Sequence, residues 1–310
     1  MSDTRRSFLK VGAALAGAAS LTAAHAADSG PMRTETPALP QVPKMRFGDA
    51  EVSRLVLGTN PFYGYSHFSK NLDNAMRQWY TPDKICEVML SAEPYGINAF
   101  NMVNIGRAPD DFAKYRERGG KMQLIAQIVG DPTPTWNRFK PLAMYNQGEE
   151  VDKAFIAGKM ETVKDWCKKA RDLGTIVGVG THRPDVIAYV EDRGWDVDFY
   201  AGCIYMRTRT ADEWKKILNG EIQETMQETY LQADPMRMYH VMRQSKKPCF
   251  AFKILAAGRI NDQGIEHAFR TAFENLKPTD GVFVGMWPSR KDEIHEDAEI
   301  VSRILPPHAA

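Results

Sequence analysis

The strongest pattern in the chain is a short apolar run bounded by turn residues and followed by a helix-length segment. Runs that are apolar throughout, rather than at every second residue, are typical of parallel strands buried on both faces. Eight such units in 310 residues predict an α/β fold, a closed (β/α)8 TIM barrel, with a doubly wound open sheet as the alternative. The predicted strands are Arg54–Gly58, Ile97–Asn101, Met122–Val129, Ala154–Gly158, Ile176–Gly180, Val197–Gly202, Cys249–Leu255 and Val282–Met286.

The segments between these strands have helix length, and several start with a capping residue or proline. Thr81 precedes Pro82, and Ser289 stands three residues before Asp292. Ahead of the first unit, Met45–Phe47 and Glu51–Ser53 flank a Gly-Asp-Ala turn and predict a capping hairpin. The predicted helices are Pro82–Pro94, Pro109–Arg118, Trp136–Glu150, Lys159–Leu173, Pro184–Arg193, Ala211–Gln244, Asn261–Leu276 and Ser289–Leu305.

The N-terminus has the pattern of a twin-arginine export signal. The paired arginines lie in Thr4-Arg5-Arg6-Ser7-Phe8-Leu9-Lys10, and a weakly apolar, Ala-rich stretch ends in Ala24-His25-Ala26. A transmembrane anchor needs about 20 strongly apolar residues, more than this stretch supplies. We therefore expect a signal peptide at 1–26, an extended linker at 27–44 and one barrel domain at 45–310. The export machinery is an expected partner, and the periplasm or another exported location is the expected address.

The charge balance of the chain excludes broad electrostatic recognition. Lys and Arg number 40 against 39 Asp and Glu, so no overall field attracts nucleic acid, or a membrane after cleavage. A small-molecule substrate is expected instead. The cysteines show no paired spacing typical of a disulfide framework. Cys86 and Cys167 are predicted core thiols, and no disulfide is expected between Cys203 and Cys249.

Lys253 is the first candidate catalytic residue, because it lies late in the seventh predicted strand, and barrel active sites lie where strands end. Alternation puts Phe250, Phe252 and Ile254 on the helix-facing side and Lys253 inside. A buried ammonium needs a carboxylate partner, a bound anion or a lowered pKa suited to base or imine chemistry. The alternative is a structural lysine paired with an acid such as Asp198.

His182 is the second candidate, because it ends the fifth predicted strand. Val177 and Val179 would face the helices, while Gly178 and Gly180 would leave space inside the barrel beneath the imidazole of His182. That position suits a general acid or base. The remaining candidates, His67, His240, His267 and His295, are predicted to be solvated. No HxH or HExxH spacing occurs in the sequence, so no metal site is predicted.

The loops after the last two strands suggest an anion site. Gly258 and Arg259 follow the seventh strand, and Gly285, Ser289 and Arg290 surround the start of the last predicted helix, where backbone N–H groups attract anions. In the alternative interpretation, the glycines only permit tight turns and Ser289 only caps the helix.

The chain from the hairpin onward resembles the aldo-keto reductase family. The resemblance lies in Ser53-Arg54-Leu55-Val56-Leu57-Gly58-Thr59-Asn60-Pro61-Phe62, in Tyr95-Gly96-Ile97-Asn98-Ala99-Phe100, in Leu255-Ala256-Ala257-Gly258-Arg259, and in the segment from Val284-Gly285 to Glu296-Asp297. It implies an NADP cofactor, with its nicotinamide on Tyr205. The implied cofactor-binding residues are Tyr205, Gly258, Arg259, Gly285, Ser289, Arg290 and Asp297.

The family's catalytic Asp, Tyr, Lys and His are all missing. Their positions are taken by Asn101, by Ile105 or its neighbour, by Gln127 or Ile128, and by Gly158 or Lys159. Three hypotheses follow: an exported NADP-dependent oxidoreductase of a small carbonyl or sugar-like compound with a non-standard site; a cofactor-independent lyase, isomerase or hydrolase using Lys253 and His182; and a non-catalytic binding protein, whose interior polar groups satisfy one another. The expected substrate-binding residues are Asn60, Asn101, Asn104 and Gln127.

Overall fold

The computed structural model describes residues 38–219, 228–260 and 264–305, and its centre is a closed barrel of eight parallel strands. Each strand pairs with the next along the chain, and the last pairs with the first. This arrangement confirms the predicted TIM barrel. The barrel strands are β3 Leu55–Gly58, β4 Ala99–Val103, β5 Gln123–Ile128, β6 Ala143–Asn146, β7 Ile176–Thr181, β8 Phe199–Cys203, β9 Cys249–Phe252 and β10 Gly281–Val284.

The predicted hairpin is also present: β1 Lys44–Phe47 pairs antiparallel with β2 Ala50–Ser53. In the described ranges no helix is both long and apolar enough to cross a bilayer. The helices are α1 Lys70–Trp79, α2 Pro82–Ala92, α3 Ala108–Glu117, α4 Thr133–Phe139, α5 Gly148–Ile156, α6 Met160–Asp172, α7 Pro184–Asp192, α8 Ala211–Leu218, α9 Asp234–Gln244, α10 Gly264–Asn275 and α11 Glu293–Ile304.

Strand alternation separates two apolar layers. Residues such as Val177 and Val179 pack outward against the helices. Phe199, Phe250 and Phe283 point inward with the hairpin residue Phe47. The Phe47 ring lies 5.1 Å from that of Phe199 and 5.3 Å from that of Phe250. The hairpin therefore fills the end of the barrel at which the strands begin and leaves the other end for a site.

The fourth predicted strand is wrong. Residues 154–158 lie at the end of α5 and in the turn after it, and the fourth barrel strand is Ala143–Asn146, inside the predicted helix Trp136–Glu150. The apolar run at 154–158 packs one helix face on the core, and such a short run does not distinguish the two structures.

Other helix predictions also need correction. In its described part, the predicted helix Ala211–Gln244 contains two helices, α8 and α9; α1 was not predicted. The last helix begins at Glu293 and is capped by Asp292, whose side chain accepts from the backbone N–H of His295. Ser289 is therefore not its cap.

Two further expectations concern the cysteines and the termini. All four cysteines are free and buried, as predicted for Cys86 and Cys167 and for the pair Cys203 and Cys249. The predicted signal peptide, most of the predicted linker and the start of the predicted helix Asn261–Leu276 lie outside the described residues.

Candidate active site

A cavity of about 450 Å³ opens at the end of the barrel where the strands finish. Its wall includes seven of the residues predicted for catalysis or binding: Asn60, Asn101, Gln127, His182, Lys253, Gly258 and Gly285. Residues in or just after six different strands thus converge on one space, as expected for a TIM-barrel active site.

Lys253 reaches this cavity by a route that strand alternation did not predict. β9 ends at Phe252, and the inward residues of β9 are Phe250 and Phe252, with Ala251 in the outer layer. The predicted faces of this strand were therefore reversed. Lys253 has a φ of 62°, and this left-handed backbone interrupts the alternation just where the side chain joins the cavity wall.

The Nζ of Lys253 is buried and has no hydrogen-bond partner among the described residues. The suggested partner Asp198 is wrong, because its carboxylate accepts from Arg171 at 2.7 Å and from the backbone N–H of Val177 at 2.7 Å, where β7 begins. The pKa of Lys253 is lowered to about 8, mainly by burial and also by the charges of Arg207 and Arg259, while Cys203 and Glu228 oppose this shift. Of the three expected compensations, the structure provides the lowered pKa.

His182 follows β7 and is held by a buried carboxylate. Its Nδ1 lies 2.8 Å from Oδ2 of Asp152, a fully buried residue of α5. Thr181 donates to the same carboxylate at 2.5 Å and Thr208 at 3.0 Å. Arg207 approaches Nε2 at 3.4 Å, so Nδ1 carries the proton and Nε2 presents its lone pair. The arrangement is a His–Asp pair whose Nε2 can serve as a base once the long contact with Arg207 is broken.

The floor of the cavity is polar. Asn101 donates from Nδ2 to the hydroxyl of Tyr145 at 3.0 Å, and both side chains line the cavity. The predicted empty space below His182 is filled: a Cβ on Gly178 would lie 2.4 Å from the ring of Phe199, and one on Gly180 would lie 2.9 Å from that of Tyr145. The two glycines make room for aromatic rings and not for substrate.

A charged cluster lies beside Lys253 at one side of the cavity. The Glu228 carboxylate forms an ion pair with Arg207, accepts from Nδ1 of His67 at 2.7 Å and accepts from the hydroxyl of Tyr230 at 2.9 Å. His67 and Arg207 line the cavity. The prediction of a solvated His67 was wrong, because its side chain is only 24% exposed and bonds to Glu228; burial lowers its pKa despite this bond.

Arg259 does not reach the cavity and instead joins two segments behind it. It donates to the carbonyl of His67 at 2.8 Å, and its guanidinium lies over the rings of Phe68, at 4.9 Å, and Tyr230, at 4.5 Å. Asn104 is also outside the cavity wall. It bridges to the backbone of Val129, accepting at 2.7 Å and donating at 3.2 Å.

The other residues predicted to bind a cofactor lie apart from the cavity wall. The ring of Tyr205 packs against that of Tyr230 at 4.8 Å. The backbone N–H of Trp287, in the predicted anion loop, donates to the Glu293 carboxylate at 2.5 Å. Asp297 is buried in α11; burial and the nearby Glu293 and Glu296 raise its pKa well above its ordinary value. The anion position in the loop next to Ser289 and Arg290 is thus occupied by the Glu293 carboxylate. The loop therefore does not fit a cofactor phosphate.

Sequence reasoning missed Asp152, Arg207, Glu228 and Tyr145 as site residues. Tyr145 is the penultimate residue of the strand that was misplaced, so correct placement of that strand would have found it. Asp152 lies in a helix and Glu228 far along the chain, and no local pattern marks either. Across the described part of the chain, no group of three or more His, Cys, Asp or Glu residues is arranged to hold a metal ion.

Comparison with known proteins identifies the fold but no family. No family model matches the chain, and no curated protein matches it. Among solved structures, a truncated 3-deoxy-D-arabino-heptulosonate 7-phosphate synthase from Thermotoga maritima superposes with a TM-score of 0.50 at 11% identity, covering 86% of this chain and 91% of that chain.

Two further structures are similar in the same way. The apo form of Gox0644 has a TM-score of 0.50 at 10% identity and covers 86% of this chain and 89% of its own. A candidate 2,5-diketo-D-gluconic acid reductase B has a TM-score of 0.44 at 9% identity, covering 81% of this chain and 82% of its own. Identities this low show the barrel fold alone, so membership in the aldo-keto reductase family stays a prediction.

Proposed function

We propose that this protein is a lyase or isomerase that acts on a small polar carbonyl compound without a bound cofactor, with Lys253 forming an imine and His182 transferring protons. The observation that carries the proposal is the Lys253 amine, which is buried beside the cavity and has no hydrogen-bond partner in the described part of the chain. An amine whose pKa is lowered to about 8 is partly neutral near neutral pH, and the neutral amine is the nucleophile.

The proposed chemistry balances without an added oxidant or reductant. The neutral amine of Lys253 attacks the carbonyl carbon and water leaves, which forms an imine; a proton from solvent then gives the protonated imine, which withdraws electrons from the neighbouring carbon. For an isomerase, Nε2 of His182 takes a proton from that neighbouring carbon; for a lyase, it takes the proton of a hydroxyl one carbon further along, and the carbon–carbon bond between them breaks. In both cases the imidazolium returns the proton to the resulting enamine, and water hydrolyses the imine to release the product and the neutral amine. Asp152 stabilises the imidazolium formed in between. Asn101, with Tyr145, and Gln127 would bind substrate hydroxyls.

A binding protein without catalysis accounts less well for this interior. That hypothesis expects interior polar groups to satisfy one another, as Asn101 and Tyr145 do. The amine of Lys253 does not meet this expectation. An unpaired buried ammonium is costly, and a chemical role supplies a reason to keep it.

Borohydride trapping tests the proposal. The protein is incubated with a panel of small hydroxyaldehydes, hydroxyketones and 2-oxo acids, reduced with sodium borohydride, and mapped by peptide mass spectrometry. Reduction converts an imine into a stable secondary amine, so we expect the added mass on Lys253 with at least one compound.

The matched controls separate Lys253 from lysines in general. Lys253→Met should abolish the label, and Lys44→Met, at an exposed hairpin position, should keep it. A label spread over exposed lysines and absent from Lys253 contradicts the proposal.

An NADP-dependent oxidoreductase is the second candidate. It is favoured by Gly258 and Gly285, which line the cavity where a dinucleotide could approach the backbone closely. Titration with NADPH, followed by its fluorescence, tests it: saturable binding would support this candidate, and no binding at millimolar NADPH would reject it.

A further inference from the structure

The Glu228 carboxylate has the partners that an anionic ligand would have. One oxygen contacts the guanidinium of Arg207 and, at 2.7 Å, Nδ1 of His67; the other accepts from the hydroxyl of Tyr230 at 2.9 Å. Burial alone would raise the pKa of Glu228, but the bond from His67 and the charges of His67, Arg207 and Lys253 lower it to about 2. The carboxylate is therefore a fully ionised anion in a cationic setting.

This cluster borders the cavity and adjoins the amine of Lys253. Arg207 and His67 both form part of the cavity wall, and the charge of Lys253 acts on the pKa values of His67 and Glu228. The Nε of Arg207 is buried and has no hydrogen-bond partner among the described residues. Glu228 thus leaves part of the guanidinium's donor capacity unused, and guanidinium geometry suits two-point contact with a carboxylate or phosphate.

We infer that Arg207, His67 and Tyr230 form a binding site for an oxyanion group of the substrate, a carboxylate or a phosphate, and that Glu228 occupies this site until the substrate displaces it. The inference rests on the proposed function in one respect: the oxyanion belongs to the molecule whose carbonyl meets Lys253. The substrate class is then a small carbonyl compound that also carries a carboxylate or a phosphate.

Displacement has a testable consequence, because an internal competitor weakens binding of every external anion. Removing the carboxylate of Glu228 should free Arg207 and tighten oxyanion binding. Glu149 provides a matched control: it also lines the cavity, but its carboxylate pairs with Lys153 of its own helix at 3.1 Å. Glu149→Gln removes the same charge from the cavity without freeing an arginine.

The experiment is isothermal titration of the full chain with acetate and, separately, with inorganic phosphate. Neither probe has a reactive carbonyl, so binding does not depend on imine formation. We expect Glu228→Gln to bind one of the two at least about tenfold more tightly than the unmodified chain. Glu149→Gln should bind like the unmodified chain, and Arg207→Gln added to Glu228→Gln should lose the gain. The tighter probe identifies the anionic group as carboxylate or phosphate.

Three results would overturn the inference: equal gains in Glu228→Gln and Glu149→Gln, which would reflect net charge alone; an unchanged gain without Arg207; or no binding by Glu228→Gln. Thermal unfolding of each variant shows that it is folded, and Glu228→Ala replaces Glu228→Gln if the latter is not. Borohydride trapping detects imine formation, whereas titration measures oxyanion binding. Failure of one proposal is therefore distinguishable from failure of the other.

Discussion

The charged amine of Lys253 lowers the stability of the folded state. Its pKa is about 8 in the fold, below the ordinary value of 10.5, so the folded protein binds this proton less readily than the unfolded chain does. The cost is full below pH 8 and disappears as pH rises towards 10.5.

Lys253→Met should therefore raise the free energy of unfolding at pH 7 by about 1 to 3 kcal/mol. The gain should shrink between pH 8 and 10.5, because the native lysine is then neutral in the fold. Chemical denaturation at several pH values measures both effects. Lys44→Met, which changes an exposed side chain, should stay within about 0.5 kcal/mol at every pH. A Lys253→Met variant that is less stable than the native chain at pH 7 would contradict the buried, unpaired amine.

Asp152 is a positioning residue, because it acts through the imidazole of His182. Its carboxylate accepts from Nδ1, which keeps the proton off Nε2. In Asp152→Asn the amide can donate to Nδ1, and the proton should move to Nε2. Nitrogen-15 spectra of the imidazole should show this change of tautomer, and turnover of a substrate found by trapping should fall about 10² to 10⁴-fold.

Asp185→Asn is the control for Asp152→Asn. Asp185 pairs with Arg183 at 3.3 Å in an exposed position, so its replacement should alter neither the spectrum nor turnover. An unchanged His182 tautomer in Asp152→Asn would show that Asp152 has only a structural role.

The turn after β9 places a side chain where the alternation of the strand would not place it. Lys253, Ala256 and Ala257 all have positive φ, at 62°, 48° and 52°, a conformation that costs a residue with a Cβ about 1 to 2 kcal/mol. Alternation along β9 pointed Lys253 inward by assigning the wrong face, whereas the turn places it there by breaking the alternation. Sequence periodicity contains no signal for such a break.

Ala257→Gly should stabilise the protein by about 0.5 to 1 kcal/mol, because glycine adopts a positive φ without a Cβ penalty and loses only part of this gain to backbone entropy. Urea denaturation measures it. Ala154→Gly, within α5, is the opposite control and should cost about 1 kcal/mol. If Ala257→Gly is the less stable of the two, the turn is not strained.

At the scale of elements, the sequence predicted seven of the eight barrel strands within a few residues, because each is a continuous apolar run between turn residues. The exception, Ala143–Asn146, ends in Tyr-Asn. Because these two residues carry polar groups, the strand lacks the continuous apolar run that marks the other seven. The position of His182 in the cavity wall could be predicted because β7 alternates regularly. Asp152, Arg207 and Glu228 join the site only through tertiary packing, which no local pattern encodes.

At the scale of the whole molecule, the hairpin and the barrel with its helices lie between Lys44 and Ile304, after the predicted export signal. The hairpin that closes its lower end begins at Lys44, well beyond Ala26. Removal of residues 1–26 takes away Arg5, Arg6 and Lys10 with Asp3, so the formal net charge changes from +1 to −1. We therefore expect a form that begins at Ala27 to keep the unfolding midpoint of the full chain.

The predicted export signal at residues 1–26 can be tested by locating the protein in the cell. A twin-arginine signal depends on both guanidinium groups, and arginine and lysine are not interchangeable where a planar fork is recognised. In a bacterial host with this pathway, the native chain should appear in the periplasm with the intact mass of residues 27–310. The Arg5→Lys, Arg6→Lys variant should remain in the cytoplasm at full length, while Lys44→Arg, equally conservative but outside the signal, should be exported and cleaved. Export of the double variant, or a native chain that stays uncleaved in the cytoplasm, would show that residues 1–26 are not such a signal.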